Sequence, residues 1–261
     1  AQGVAAEFCK DLPKGGMLHI HHWGTLDRET AQQFLTVVNP TIKVEELLTK
    51  FAEGGPSGSL YDDELRQLRD IGSRYPGGAP RYDVLFQTDQ NFILDLFFLP
   101  GEDLTENHSF ARFLGVFTII SNLVFQNSEV DAESMMYDAF FKRAKANKVS
   151  YVEISQFQGR GDWLAKLDVW SKQIKQKYGV TAKQLAAFTR VRPPETTRTQ
   201  AQNLLSLPPS RVLVGVNLLA DEAEHPALEK GQTLYALIGN ARASGDSALR
   251  MSIHAGELGD V

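Results

Sequence analysis

Runs in which Val, Ile, Leu and Phe dominate without strict polar alternation recur along the chain at 17–22, 149–157, 185–192, 211–219 and 248–255. Near-continuous apolar runs of this length are what strands buried on both faces of a parallel sheet require. Between them, helical patterns run over 44–53, 62–74, 110–125, 131–146, 163–178, 197–206 and 231–244. Strand and helix therefore alternate, which predicts parallel βα units. Segment 26–148 breaks that alternation. It is mostly helical, separates the first strand from the second, and is expected to be a helical insertion on an α/β scaffold that covers or frames a site. Five predicted strands fall short of the eight of a closed (β/α)8 barrel. Two architectures stay open at this point: an open α/β sheet, or a barrel that continues beyond these residues.

The punctuation is local, as at Gly54-Gly55-Pro56-Ser57-Gly58 and Pro193-Pro194. None of it reads as an interdomain linker, so residues 1–261 are expected to form a single domain. With 27 Lys+Arg against 32 Asp+Glu the formal charge is −5, and no basic run stands out. That sign is wrong for neutralising phosphates, so nucleic acid is not an expected partner. The longest apolar stretches, 93–100 and 113–125, are too short or too interrupted for a span of about 20 residues. No membrane partner is expected. The lone Cys9 cannot form an intramolecular disulfide. The chain opens Ala1-Gln2-Gly3, as a mature chain does after signal cleavage, which leans toward a periplasmic or secreted protein over a cytoplasmic one.

Candidate chemistry gathers at two strand ends. In Leu18-His19-Ile20-His21-His22-Trp23, His19 and His21 are two apart and share one face of an extended strand. Two neutral imidazoles make a bidentate donor for a divalent metal such as zinc, and a catalytic zinc keeps a position for water. A bare His-x-His also occurs as ordinary surface or core histidine. Its place, at the C-terminal end of an apolar strand, is where α/β sheets and barrels put their chemistry. In Met251-Ser252-Ile253-His254-Ala255-Gly256-Glu257, His254 can supply a third imidazole and Glu257 a carboxyl three residues on. A metal that acidifies water beside a proton-donating carboxyl suits hydrolysis. The bland alternative is a helix-capping glycine and a solvated glutamate.

Together the two motifs resemble the adenosine deaminase family of metal-dependent amidohydrolases. The stretch Pro13-Lys14-Gly15-Gly16-Met17-Leu18-His19-Ile20-His21 is similar to that family's opening Pro-Lys and His-x-His strand, its Lys-Gly-Gly variant to the secreted, growth-factor-like branch. Ser252-Ile253-His254-Ala255-Gly256-Glu257 resembles the fifth-strand signature, and Ala144 to Glu153, 185–192 and Val214 to Glu222 resemble strands two, three and four in order. The resemblance implies a TIM barrel with its last three strands missing from this chain. It also implies one zinc per site, activating water for attack on C6 of adenosine or a related purine nucleoside, with a 6-oxo product and ammonia leaving. On matching positions His19, His21 and His254 are implied metal ligands, and Glu257 is implied to share a proton with the purine N1.

Departures narrow the expectation. The family's histidine after strand six and Asp-Asp pair after strand eight have no counterpart here. His22 and Trp23 stand where an Asp near the ribose is common, and Asn217 and Ala220 stand where Asp and Gly are usual. His22, Trp23, Ala220 and the rim residue Glu222 are the candidate substrate contacts. Two alternatives stay open: an amidohydrolase acting on another aminated purine, and a binding or signalling homologue that has lost turnover. Monomer and homodimer are both compatible with the sequence.

Overall fold

A computed structural model describes residues 14–21, 24, 26–53, 60–98, 106–124, 131–157, 163–220 and 231–253. In chain order the elements are β1 (Gly15–Ile20), α1 (Arg28–Val38), α2 (Val44–Glu53), α3 (Asp62–Arg74), 3-10 turns at Pro76–Gly78 and Tyr82–Val84, α4 (Gln87–Asp95), α5 (Glu106–Leu123) and α6 (Ala132–Ala146). Then come β2 (Val149–Phe157), α7 (Trp163–Tyr178), β3 (Thr181–Thr189), α8 (Pro194–Leu205), β4 (Leu213–Leu219), α9 (Gln232–Ala243) and β5 (Arg250–Ile253). Two compact units result, one of Ala1–Thr25 with Phe140–Val261 and one of Leu26–Ala139.

The first unit is built on a five-stranded sheet in the order β1-β2-β3-β4-β5. Every neighbouring pair is parallel. In-register residues of a sheet share a face, and successive residues alternate. Ala187 pairs with Phe157 and Asn217, and Asn217 with Ser252, so these define one face. The alternate residues Ala186, Phe188, Val216 and Leu218 pack on Ala201 and Leu204 of α8 and Leu234 and Ile238 of α9. Each such large apolar side chain, fully buried, contributes roughly 1.5–3 kcal/mol. One glycine here is sterically required. A Cβ on Gly215 would lie 2.7 Å from the Arg250 carbonyl oxygen and 3.0 Å from the Leu185 side chain, so β4 and β5 pair closely only with glycine in place.

Strand limits differ from the sequence expectation where side chains do not decide pairing. β1 starts at Gly15, because Gly15 and Gly16 join the ladder through backbone groups opposite Val149 and Tyr151, and it stops at Ile20 rather than 22. β3 begins four residues early, at the polar Thr181, and ends at Thr189. Arg190 and Val191 form a turn, and Pro193 and Pro194 open α8. β4 and β5 begin at Leu213 and Arg250, two residues later than expected, and residues 254 and 255 lie outside the described residues.

The second unit is held by apolar helix faces and two buried ionic knots. In α1, Ala31, Phe34, Leu35 and Val38 are buried, and Asp27 caps the helix by accepting from the Thr30 N–H at 2.7 Å. Neither α1 nor α4 was predicted, because α1 opens on Arg28-Glu29-Thr30 and α4 on Gln87-Thr88-Asp89-Gln90, which read as polar. Arg112 of α5 is fully buried. Its Nε and Nη2 pair with Glu64 at 3.1 and 3.0 Å, and Nη2 also donates to the Leu96 and Phe98 carbonyls at 3.1 and 3.2 Å. Arg74 forks onto the buried Asp89 at 2.9 and 2.8 Å, and the Tyr75 hydroxyl donates to the same carboxylate at 3.0 Å. Phe92 and Phe97 belong to this unit's core, whereas Phe86 is 63% exposed and rests against the Tyr75 ring.

Candidate functional site

β1 delivers the imidazole pair to the C-terminal end of the sheet. Its register against β2 slips between Met17 and Ile20, and the half-buried His19 and His21 bring their Nε2 atoms to 3.2 Å, rings 5.0 Å apart and inclined by 65°. Imidazole–zinc bonds of about 2.0–2.1 Å at a tetrahedral angle set two ligand nitrogens about 3.3–3.4 Å apart. The observed separation matches that bite, and two neutral nitrogens are a donor set that borderline-soft divalent metals accept, so the pair fits a zinc ion. Among the described residues no group of three or more His, Cys, Asp or Glu side chains gathers to hold a metal.

Around the pair lies a row of neutral polar side chains on the same face of the sheet. The fully buried Asn217 of β4 donates from Nδ2 to the buried Ser155 Oγ of β2 at 2.7 Å. The same Nδ2 lies 3.4 Å from His19 Nε2, and Ser252 Oγ of β5 lies 3.4 Å from His19 Nδ1. The row therefore reaches His19 from both ring nitrogens. Asn217 Oδ1 is buried and has no hydrogen-bond partner among the described residues. A buried carbonyl left in that state costs about 1–3 kcal/mol unless a ligand or water supplies a donor.

Ala220 follows β4 directly with φ at +89°, a backbone conformation that favours glycine. The chain there keeps the conformation of a glycine site while carrying a methyl group. His22, Trp23, Glu222, His254 and Glu257 lie outside the described residues. Ser155 has no distinguishing signal in the sequence, since β2 also carries Ser150, Glu153 and Gln156, and Ser252 is assigned no role there.

Burial raises the pKa of three described tyrosines, Tyr82, Tyr151 and Tyr235. At the opposite, N-terminal end of β2, burial pushes the Tyr151 hydroxyl up to about 12, helped by its bond to Glu153 Oε1 at 2.7 Å. On α9, burial pushes Tyr235 up to about 12 against the opposing pull of the Arg190 cation, and its buried Oη has no partner among the described residues. No described helix is long and apolar enough to cross a membrane.

No family model matches this chain, nor does any curated protein. Solved structures do. A Burkholderia ambifaria amidohydrolase with bound zinc superposes with a TM-score of 0.56 at 15% identity, covering 96% of this chain and 54% of that one. The adenine deaminase of Arthrobacter aurescens gives 0.52 at 19%, covering 95% and 59%. Arabidopsis ADAL in complex with IMP gives 0.52 at 14%, covering 97% and 61%. The chain thus spans a little over half the length of these structures. The likeness is one of fold: an α/β half-barrel with a parallel five-stranded sheet.

Proposed function

We propose that β1 to β5 are the first five strands of a metal-dependent amidohydrolase barrel that hydrolytically deaminates an aminated purine, adenosine or a related nucleoside being the favoured class. The carrying observation is the 3.2 Å approach of His19 and His21 Nε2 at the C-terminal end of a parallel sheet. The similarity to structures described as a zinc-bound amidohydrolase, an adenine deaminase and an IMP complex supports the same reading.

In this reading His19 and His21, joined by His254, hold one zinc ion. Bound there, the metal supplies Lewis acidity that makes water a nucleophile at neutral pH. The chain's own residues do the rest. Glu257 holds a proton against purine N1, which draws electron density from C6 and prepares it for attack. His22, Trp23, Ala220 and Glu222 frame the purine and its sugar. Trp23 supplies a ring face for stacking, and the Ala220 backbone, held at positive φ, approaches the base. Residues 26–148 form the helical insertion after strand one, and the Lys14-Gly15-Gly16 entry supports placement in the exported, growth-factor-like branch.

The test is a turnover panel on the purified, zinc-supplemented full-length protein with adenosine, deoxyadenosine, adenine and N6-substituted analogues. Ammonia release from a nucleoside, falling 10²–10⁴-fold in Glu257→Gln, is expected. Turnover of only a free base or an N6-substituted analogue selects the alternative amidohydrolase reading. Zinc binding without turnover of any member contradicts deamination and leaves a binding protein.

A further inference from the structure

The fold of the first unit gathers charge that is spread out along the chain. In a parallel sheet every strand starts at the same edge, and a helix that precedes a strand ends there. The segments that meet at this edge are 14–16, 142–150, 172–183, 206–213 and 242–250, which lead into β1 to β5. They hold one, four, four, one and two Lys+Arg respectively, against a single carboxylate, Asp246. Twelve of the 27 cations and one of the 32 anions thus stand at one end of one unit, in a chain whose formal charge is −5. All twelve are exposed except the half-buried Arg143 and Lys183.

We propose that this edge is a docking surface for an anionic membrane, held peripherally through the lipid headgroups. The inference is independent of the reading above, because His19 and His21 stand at the opposite, C-terminal end of the sheet. Such docking needs neither a run of cations nor a spanning helix, the two features whose lack in the sequence argues against polyanions and membranes.

Helix dipoles account for part of the pattern. A helix C-terminus carries about half a negative charge and favours cations in its last turn. That covers Arg143 and Lys145 of α6, Lys175 and Lys177 of α7, and Arg242 of α9. The other seven lie outside those turns, among them Lys148, Lys183, Arg211 and Arg250 in loops and strand starts. Lys142, Lys145, Lys172 and Arg242 make no ion pair among the described residues, so their charge faces outward uncancelled.

The kind of anion follows from what this edge lacks. The N-termini of α7, α8 and α9, whose N–H groups could seat a single phosphate, lie at the other end. The one aromatic residue in the five segments, Tyr178, is buried against the Phe141 ring, so no ring is offered for a base to stack on. Eight of the twelve cations are Lys, a flexible point charge, rather than the planar fork with which Arg grips one phosphate. Flexible cations on a rim that spans the ends of five strands, roughly 20 Å at about 4.8 Å a strand, match many diffuse negative charges in a plane better than one strand of nucleic acid.

Co-sedimentation of the full-length protein with vesicles tests this. Binding is expected to vesicles of phosphatidylserine with phosphatidylcholine and not to phosphatidylcholine alone, and it should be lost between about 0.05 and 0.5 M salt as screening shortens the reach of the charges. The quadruple variant Lys142→Gln, Lys145→Gln, Lys172→Gln and Arg242→Gln, with circular dichroism unchanged, should bind at least a hundredfold more weakly, at about fivefold for each cation near an anionic surface. Arg66→Gln with Arg69→Gln, exposed in the second unit, should change binding less than twofold. Equal binding to neutral and anionic vesicles overturns the inference, as does an equal loss in the Arg66 and Arg69 variant. Retention by duplex DNA or heparin without any by anionic vesicles overturns it too. A protein that binds anionic vesicles and deaminates nothing upholds this inference and contradicts the reading above.

Discussion

The two units of the chain bury polar groups in opposite ways. In Leu26–Ala139 the knots are nearly closed. Asp89 receives three donors from Arg74 and Tyr75, and Arg112 spends its Nε and Nη2 on Glu64 and two carbonyls, its Nη1 having no partner among the described residues. In the sheet unit the polar row is neutral and incomplete among the described residues, since Asn217 reaches Ser155 and His19 yet leaves Oδ1 without a partner there. Closed networks specify a fold, whereas an acceptor left open beside two converging imidazoles has its value in what arrives from outside. Under the proposed function, the contrast separates residues that hold structure from residues that frame the site.

Breaking a closed knot should cost most. Arg112→Leu leaves Glu64 without its cation and two carbonyls without a donor, and is expected to lower unfolding free energy by about 3–5 kcal/mol in urea titration. Adding Glu64→Leu to it should recover a large part of that loss; a double variant as unstable as the single would mean the network is not the cause. Gly215→Ala comes next, at about 1–3 kcal/mol, because its methyl meets the Arg250 carbonyl and forces β4 from β5.

Opening sites should be cheap, or should gain. Tyr235→Phe deletes a buried hydroxyl without a partner among the described residues and is expected to be neutral or stabilising by about 1 kcal/mol. It should also flatten alkaline unfolding. With a folded value near 12 against an ordinary 10.0, the hydroxyl's contribution is intact below pH 10 and declines as pH rises from 10 to 12, since the unfolded chain sheds its proton first. A thermal melt series from pH 9 to 12 on both proteins checks the sign, and a Phe variant as alkali-sensitive as wild type would contradict it. The smallest effect is Ala220→Gly. Relief of the positive-φ strain, about 1–2 kcal/mol, is offset by about 0.4–1 kcal/mol of unfolded-chain entropy, so a gain below about 1 kcal/mol in melting is expected.

How legible the two units were follows from the same contrast. β2 at Val149–Phe157 and helices at Val44–Glu53, Asp62–Arg74 and Trp163–Tyr178 match the apolar pattern at both ends, because burial and periodicity coincide there. α1 and α4 escaped because Thr30 and Asp89, which read as surface residues, are buried and paired. The His19–His21 pair was legible as spacing within one strand. The Ser155–Asn217 bond was not, since its residues are 62 apart and meet only once strand register is set. Register is decided by the whole sheet rather than by either strand alone.

The proposed zinc site beside the open row is tested most directly by equilibrium zinc titration of the full-length protein against a competing chelator, with wild type and His19→Ala side by side. One zinc per chain, lost or weakened at least a hundredfold in the variant with its circular dichroism unchanged, is the expected result. No zinc bound, or equal binding by both proteins, would contradict it.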